Sequence, residues 1–196
     1  MTKLRTVLGL MSGTSLDGID LAAIETDGEN TIRPLGQLYV PYDEEARDVL
    51  QAALEAAKNA KPSDWGASNT WPEPVRHADI LVSEAHIRAI ARFRAKHDVA
   101  FTLVGFHGQT VLHQPEAGIT VQIGDPQLLA RATDCAVVGQ FRLADIANGG
   151  QGAPLAPLFH AARAKSQSGS LGVLNIGGVA NITLLDEGEK ICSFDT

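Results

Sequence analysis

Three short segments of the chain gather side chains suited to gripping or activating a ligand. The first is "GLMSGTSLDGID", residues 9–20. Gly13 and Gly18 are positions where the backbone can take positive φ and approach a ligand closely. Successive N–H groups in such a turn form a nest for an anion, and Thr14 and Ser15 add hydroxyl donors. Asp17 and Asp20 are carboxylates of the kind that hold a hydrated magnesium ion. The plain alternative is a glycine-rich hairpin whose polar side chains cap their own backbone. A glycine loop without the lysine of a P-loop does not decide between the two.

The second segment is "FHGQTVLHQP", residues 106–115. His107, Gln109 and Thr110 present imidazole, amide and hydroxyl groups, a set that matches sugar hydroxyls. For His107, ligand contact and a structural place at a strand end are equally good readings; His113 reads better as structural. The two histidines lack a third ligand, which argues against a metal. The third segment is "FRLADIANGGQGAPLAPLFH", residues 141–160. Asp145 lies between Ala144 and Ile146, and three glycines follow within "NGGQG". An acid in an apolar setting is either a cap or a general base with a tuned pKa. The helix expected near Ala153 starts eight residues later, too far for a cap, so the base is favoured. Ser12 and Ser15 lie near glycines but not in the G-x-S-x-G elbow of a serine hydrolase.

These segments need a scaffold. Residues 4–10, 19–27 and 31–40 read as a short-turn β-meander, with Asp27-Gly28 as a turn pair. The period then becomes helical, with Ala46, Val49, Leu50, Ala53, Leu54 and Ala57 on one face. Asp43 suits the N-cap, with Glu44 and Glu45 in the first turn. Residues 61–74 form a polar loop with three prolines. A second helix over 75–96 turns Leu81, Val82, Ala85, Ala89 and Phe93 inward. A buried strand over 100–106 follows, then a loop and hairpin turning near Gly118. Next come a helix with Asp125 as cap and Pro126 at its first position, a strand over 134–140, and a helix after the prolines of 153–165.

Composition turns small and polar at "KSQSGS", residues 165–170. Beyond it, "LGVLNIGGVANITLLDEGEKICSF" echoes the opening meander, with Val173-Leu174 in the place of Val7-Leu8. Such an echo points to a duplicated unit. The second copy has three strands and no helices, and a bare three-stranded sheet needs something to pack on. The expected division is a first lobe over 1–165 and a truncated second lobe over 166–196, with more chain after Thr196. The formal charge is -7 from 16 basic and 23 acidic residues, which disfavours a nucleic-acid surface. No apolar run reaches the roughly 18 residues of a membrane span. Cys135 and Cys192 are expected to be reduced, partly buried thiols of a cytoplasmic protein.

Taken jointly, "GLMSGTSLDGIDLAA", "GFHGQTVLHQP", "VQIGDPQLLA", "ADIANGGQGAPLAPLFH" and "LNIGGVANIT" resemble the anhydro-N-acetylmuramic acid kinases, from residue 9 to the last. The resemblance implies an α/β fold. One ribonuclease-H-like, actin-type ATPase lobe, a mixed five-stranded sheet with helices, would be followed by the start of a second similar lobe. It implies hydrolytic opening of 1,6-anhydro-N-acetylmuramic acid and its phosphorylation by ATP to N-acetylmuramic acid 6-phosphate, a step of cell-wall recycling. Gly13, Thr14, Ser15, Leu16, Asp17, Gly18, Ile19 and Asp20 would form the ATP phosphate loop. Gly177, Gly178 and Asn181 would lie on a second one. Asp145 would be the general base, and His107, Gln109 and Thr110 would face the sugar. Mg2+ would accompany ATP, with Asp17 or Asp20 reaching it through water. Small-molecule partners are implied, with no nucleic acid or membrane, and a homodimer is allowed. Family chains continue "FDTGPGN" where this one stops at "SFDT", so the piece alone should lack adenine contacts and turn over little. The competing readings are a non-catalytic actin-like or sugar-binding module and an ATP-independent hydrolase.

Overall fold

The computed structural model describes residues 3–164, 167–176, 180–186 and 191–195. The expected meander opens it: β1 (Arg5–Ser12), β2 (Gly18–Thr26) and β3 (Ile32–Pro41) pair antiparallel in that order. The Asp27 carboxylate closes the second turn, accepting N–H bonds from Glu29, Asn30 and Thr31. Helix α1 (Glu44–Asn59) starts at Asp43, whose carboxylate accepts from the Ala46 N–H at 2.8 Å. Its inward face is Ala46, Leu50, Ala53 and Ala57, with Val49 and Leu54 partly buried beside them. Helix α2 (Glu73–Lys96) buries Val75, Ala78, Val82, Ala89, Ile90 and Phe93, while Leu81 and Ala85 are only partly covered. Leu8, Leu50, Phe93 and Val104 are fully buried where these helices meet the sheet. Burying one such large side chain contributes about 1.5–3 kcal/mol.

Strand β4 (Leu103–Gln114) is long enough to serve two sets of neighbours. Its first half runs parallel to β1, with Val7 opposite Leu103 and Leu10 opposite Phe106. The same half runs parallel to β6 (Ala136–Gly139). Its second half turns back antiparallel with β5 (Ile119–Ile123). The path β3-β2-β1-β4-β5 is a mixed five-strand sheet, with β6 paired alongside β4. Helix α3 (Pro126–Thr133) precedes β6 and has the expected cap, Asp125 accepting from the Gln127 N–H at 2.7 Å.

Two elements depart from the sequence reading. The strand expected over 100–106 begins at Leu103 and runs on to Gln114, through the stretch expected to open as a loop. The strand expected to reach 140 ends at Gly139, and Gln140 turns left-handed at φ 53° to launch a short helix, α4 (Phe141–Ala147). Seven residues are too few to display a helical period. Helix α5 (Ala156–Ala164) begins after Pro154, as expected. The second sheet is the antiparallel meander β7 (Leu171–Ile176), β8 (Ala180–Leu185) and β9 (Ile191–Asp195). Helix α5 packs on β8 and β9, with His160 Nδ1 3.0 Å from Thr183 Oγ1. The last helix before the boundary therefore sides with the second sheet. Leu174, Ile176 and Phe194 of that sheet are roughly half exposed or more. Cys135 is buried as expected, but Cys192 is exposed on β9. Among the described residues no helix is long and apolar enough to cross a membrane.

Candidate functional site

The first glycine loop joins β1 to β2. The positive φ expected at Gly13 and Gly18 is not found; Leu16 adopts it instead, at φ 54°. That conformation costs an ordinary residue about 1–2 kcal/mol, offset here because the Leu16 side chain is buried in the core. Gly18 is glycine for a different reason. A Cβ there would strike the Tyr39 ring and the Val40 carbonyl. The Tyr39 hydroxyl and the Tyr42 N–H both donate to the Asp17 carbonyl at 2.9 Å, so β3 braces the loop from the side. Ile19, like Leu16, gives its side chain to the core. Thr14, Ser15, Asp17 and Asp20 remain exposed.

Two carboxylates stand in this loop region. Ser15 Oγ donates to Asp17 Oδ1 at 2.5 Å, and that bond holds the Asp17 pKa below the usual carboxylate range. Partial burial, and next the negative charge of Asp17, push Asp20 above it. Two exposed hard-oxygen groups that feel each other's charge fit a hydrated magnesium ion. Among the described residues no group of three or more His, Cys, Asp or Glu is placed to hold a metal directly.

The loop is tied to β4 from below. Tyr42 donates to Ser12 Oγ at 3.1 Å, and Ser12 donates to Gln109 Oε1 at 2.6 Å. Gln109 Nε2 donates to the Thr110 carbonyl at 3.1 Å. Tyr42, Ser12 and Gln109 are all buried, and burial pushes the Tyr42 pKa up to about 12, keeping it a neutral donor. The Gln109 amide is thus engaged inside the protein, where it joins β4 to the start of the glycine loop. Thr110 Oγ1 and Oε1 of Gln122, its cross-strand partner, are buried with no hydrogen-bond partner among the described residues. His113 meets Thr120 across the hairpin, Nδ1 to Oγ1 3.1 Å.

His107 is held on every side. Its carbonyl accepts from Gln122 Nε2 at 2.7 Å. Its Nε2 lies 2.8 Å from Arg142 Nη2 and 3.2 Å from Nε. Arginine can only donate, so Nε2 is the acceptor and the ring proton sits on Nδ1, which donates to the Gly108 carbonyl at 2.9 Å. Burial and the neighbouring Arg142 cation hold the His107 pKa down, favouring the neutral ring.

Asp145 stands on α4. Its Oδ2 accepts from the Gly152 N–H at 2.7 Å, and its carbonyl accepts from the Gly150 N–H at 2.9 Å. The carboxylate therefore does act as a cap, but of the glycine turn that follows its own helix and not of the helix near Ala153. A Cβ on Gly150 would overlap the carboxylate. Gly152 has φ 72°, and a Cβ there would press on Ile146. Arg142 is the residue that sequence reasoning missed. The signal was a basic residue one helical turn before Asp145, visible only once the helix is known. Asn181 lies on β8 opposite Asn175, in the second sheet. Gly177 and Gly178 lie outside the described residues.

The glycine loop, the His107–Thr110 stretch and Asp145 thus meet along one line, β1 to β4 to α4, in a protein with a mixed α/β sheet. A family model described as anhydro-N-acetylmuramic acid kinase matches residues 5–196. The chain belongs to that family. It is 47% identical over 199 residues to an anhydro-N-acetylmuramic acid kinase of Rhodopseudomonas palustris (strain BisB18), covering 97% of this chain and 52% of the relative. It is 44% identical over 208 residues to one of Methylorubrum extorquens, covering 98% and 54%. The chain spans about half the length of the curated relatives it matches. Among solved structures, the Aquifex aeolicus member of the Ppx/GppA family overlaps 99% of this chain and 51% of its own, at 11% identity and a TM-score of 0.37.

Proposed function

We propose that the protein containing this chain is an ATP-dependent kinase. It would open 1,6-anhydro-N-acetylmuramic acid with water and phosphorylate the freed oxygen, giving N-acetylmuramic acid 6-phosphate for cell-wall recycling in the cytoplasm. The observation that carries the proposal is the Asp145 carboxylate. One oxygen is fixed by the Gly152 N–H at 2.7 Å, and Oδ1 accepts no hydrogen bond among the described residues. A carboxylate so oriented can take a proton from water as that water attacks the anomeric carbon. The bond from C1 to O6 then breaks, and O6 would attack the γ-phosphorus as the bond from that phosphorus to the β,γ-bridging oxygen breaks and ADP leaves. Backbone donors of the loop over residues 13–18, with the Thr14 and Ser15 hydroxyls, would receive the phosphates. Asp17 and Asp20 would hold Mg2+ through water; the ion, when bound, offsets phosphate charge. Both ring nitrogens of His107 are taken by Arg142 and Gly108, so in this stretch contact with the sugar would fall to Thr110, and Asn181 would join a second phosphate loop. The 196 residues alone would turn over little, since the family's adenine contacts are expected elsewhere.

The test is Asp145→Asn in the full-length protein, with ADP release measured in a coupled assay on the anhydro sugar. Removing a positioned base should cost about 100- to 10,000-fold in turnover while nucleotide binding is kept. Wild-type turnover in the variant would overturn the assignment, and product formed without nucleotide would replace the kinase with a hydrolase.

A further inference from the structure

Arg142 makes contact with two segments at once. Its Nη1 donates to the Gly152 carbonyl at 2.7 Å, and its Nη2 and Nε converge on His107 Nε2 at 2.8 and 3.2 Å. Every one of these acceptors is neutral, and among the described residues no carboxylate lies within ion-pair distance of the guanidinium. Arg142 is therefore not there to neutralise a charge. Gly152 is gripped from both ends, its N–H by Asp145 and its carbonyl by Arg142. His107 is in turn fixed to the sheet through the Gly108 carbonyl and Gln122. None of the residues of helix α4 is fully buried; besides Arg142, it meets the sheet through Phe141, whose ring centroid lies 6.1 Å from that of His107, and through β5.

We infer that Arg142 is a positioning residue. It bolts the Asp145–Gly152 turn to the His107 end of β4, and so sets where the Asp145 carboxylate points. This rests on the reading of Asp145 as the base. Lysine cannot take over, because a point charge lacks the planar fork that spans two acceptors. Misplacing a catalytic group by about 1 Å can cost roughly 100-fold in rate.

The experiment uses the full-length protein with Arg142→Gln, Arg142→Lys, Asp145→Asn and the Arg142→Gln/Asp145→Asn double variant. Arg142→Gln should lower kcat by about 100-fold, with KM for nucleotide within about twofold. Arg142→Lys should recover little of it. The double variant should be no slower than Asp145→Asn alone, because both changes remove the same function. Losses that multiply in the double variant, or a wild-type kcat in Arg142→Gln, would overturn the inference. A readout free of turnover accompanies these. Nitrogen-15 NMR should show His107 protonated at Nδ1, assigned by its loss in His107→Gln, and a Gly152 amide shifted by its carboxylate partner. Both signals should move in Arg142→Gln; if both stay, the inference is wrong. If they move but the wild type does not process the anhydro sugar, the functional reading fails and the positioning of Asp145 by Arg142 stands.

Discussion

Acid should weaken this fold through a histidine that solvent never reaches. His86 sits on α2, fully buried, with its ring edge against Phe106 at a centroid distance of 5.0 Å and an interplanar angle of 76°. Its Nδ1 lies 2.7 Å from the Val82 carbonyl, and its Nε2 has no partner among the described residues. Burial drives the pKa from 6.5 to about 4, against the opposing pull of the Val82 bond. In the unfolded chain the ring titrates near its ordinary value. Below about pH 6.5 the unfolded state therefore binds a proton that the folded state refuses. Stability is complete above pH 6.5 and falls until the pH nears 4. At roughly 1.4 kcal/mol per pH unit, the full loss is about 3 kcal/mol, and about 2 kcal/mol of it is gone by pH 5. Urea unfolding followed by the fluorescence of Trp65 and Trp71, at pH 7.5 and pH 5, measures this. The control is His86→Leu, which is similar in volume and cannot titrate. Wild type should lose about 2 kcal/mol more than the variant between the two pH values. Equal losses, within about 0.5 kcal/mol, would refute the reasoning.

Two further perturbations probe the site. Gly150→Ala puts a methyl group where the Asp145 carboxylate lies. It should cut kcat of the full-length protein by about 100-fold, with little change in Tm because Gly150 is exposed; an unaltered kcat would remove the close approach from the argument. Ser12→Ala strands the Gln109 Oε1 and the Tyr42 hydroxyl in a dry interior. It should cost about 1–3 kcal/mol, read from the urea midpoint, and a loss below about 0.5 kcal/mol would mean that water replaces the hydroxyl.

The parts of the fold that were legible in the sequence are those set by local chemistry. The meander, the Asp43 and Asp125 caps and the apolar face of α1 follow from spacing and capping residues within one element. The errors arise where tertiary packing decides. Positive φ was expected at glycines, yet it falls on Leu16 because the core rewards burying that side chain. Gln109 looked like a ligand-facing amide, but its partner is Ser12, 97 positions away. Asp145 was picked out by its apolar neighbours and the glycines after it. Its helix is too short to show a period, so the sequence carries no sign that Arg142 lies one turn before it.

The double role of β4 also has a consequence in time. Strand β1 pairs with β2 within a few residues of chain, but its other neighbour, β4, is nearly a hundred positions further on. Synthesis proceeds at about 5–20 residues per second, so roughly 5 to 20 seconds separate the emergence of the two strands. Throughout that interval the strand destined for the middle of the sheet is an edge, with the backbone beside Val7, Leu8 and Leu10 open. An open edge is a template for another chain. The period of greatest exposure to mispairing therefore falls during synthesis and ends when Leu103 to Phe106 reach β1.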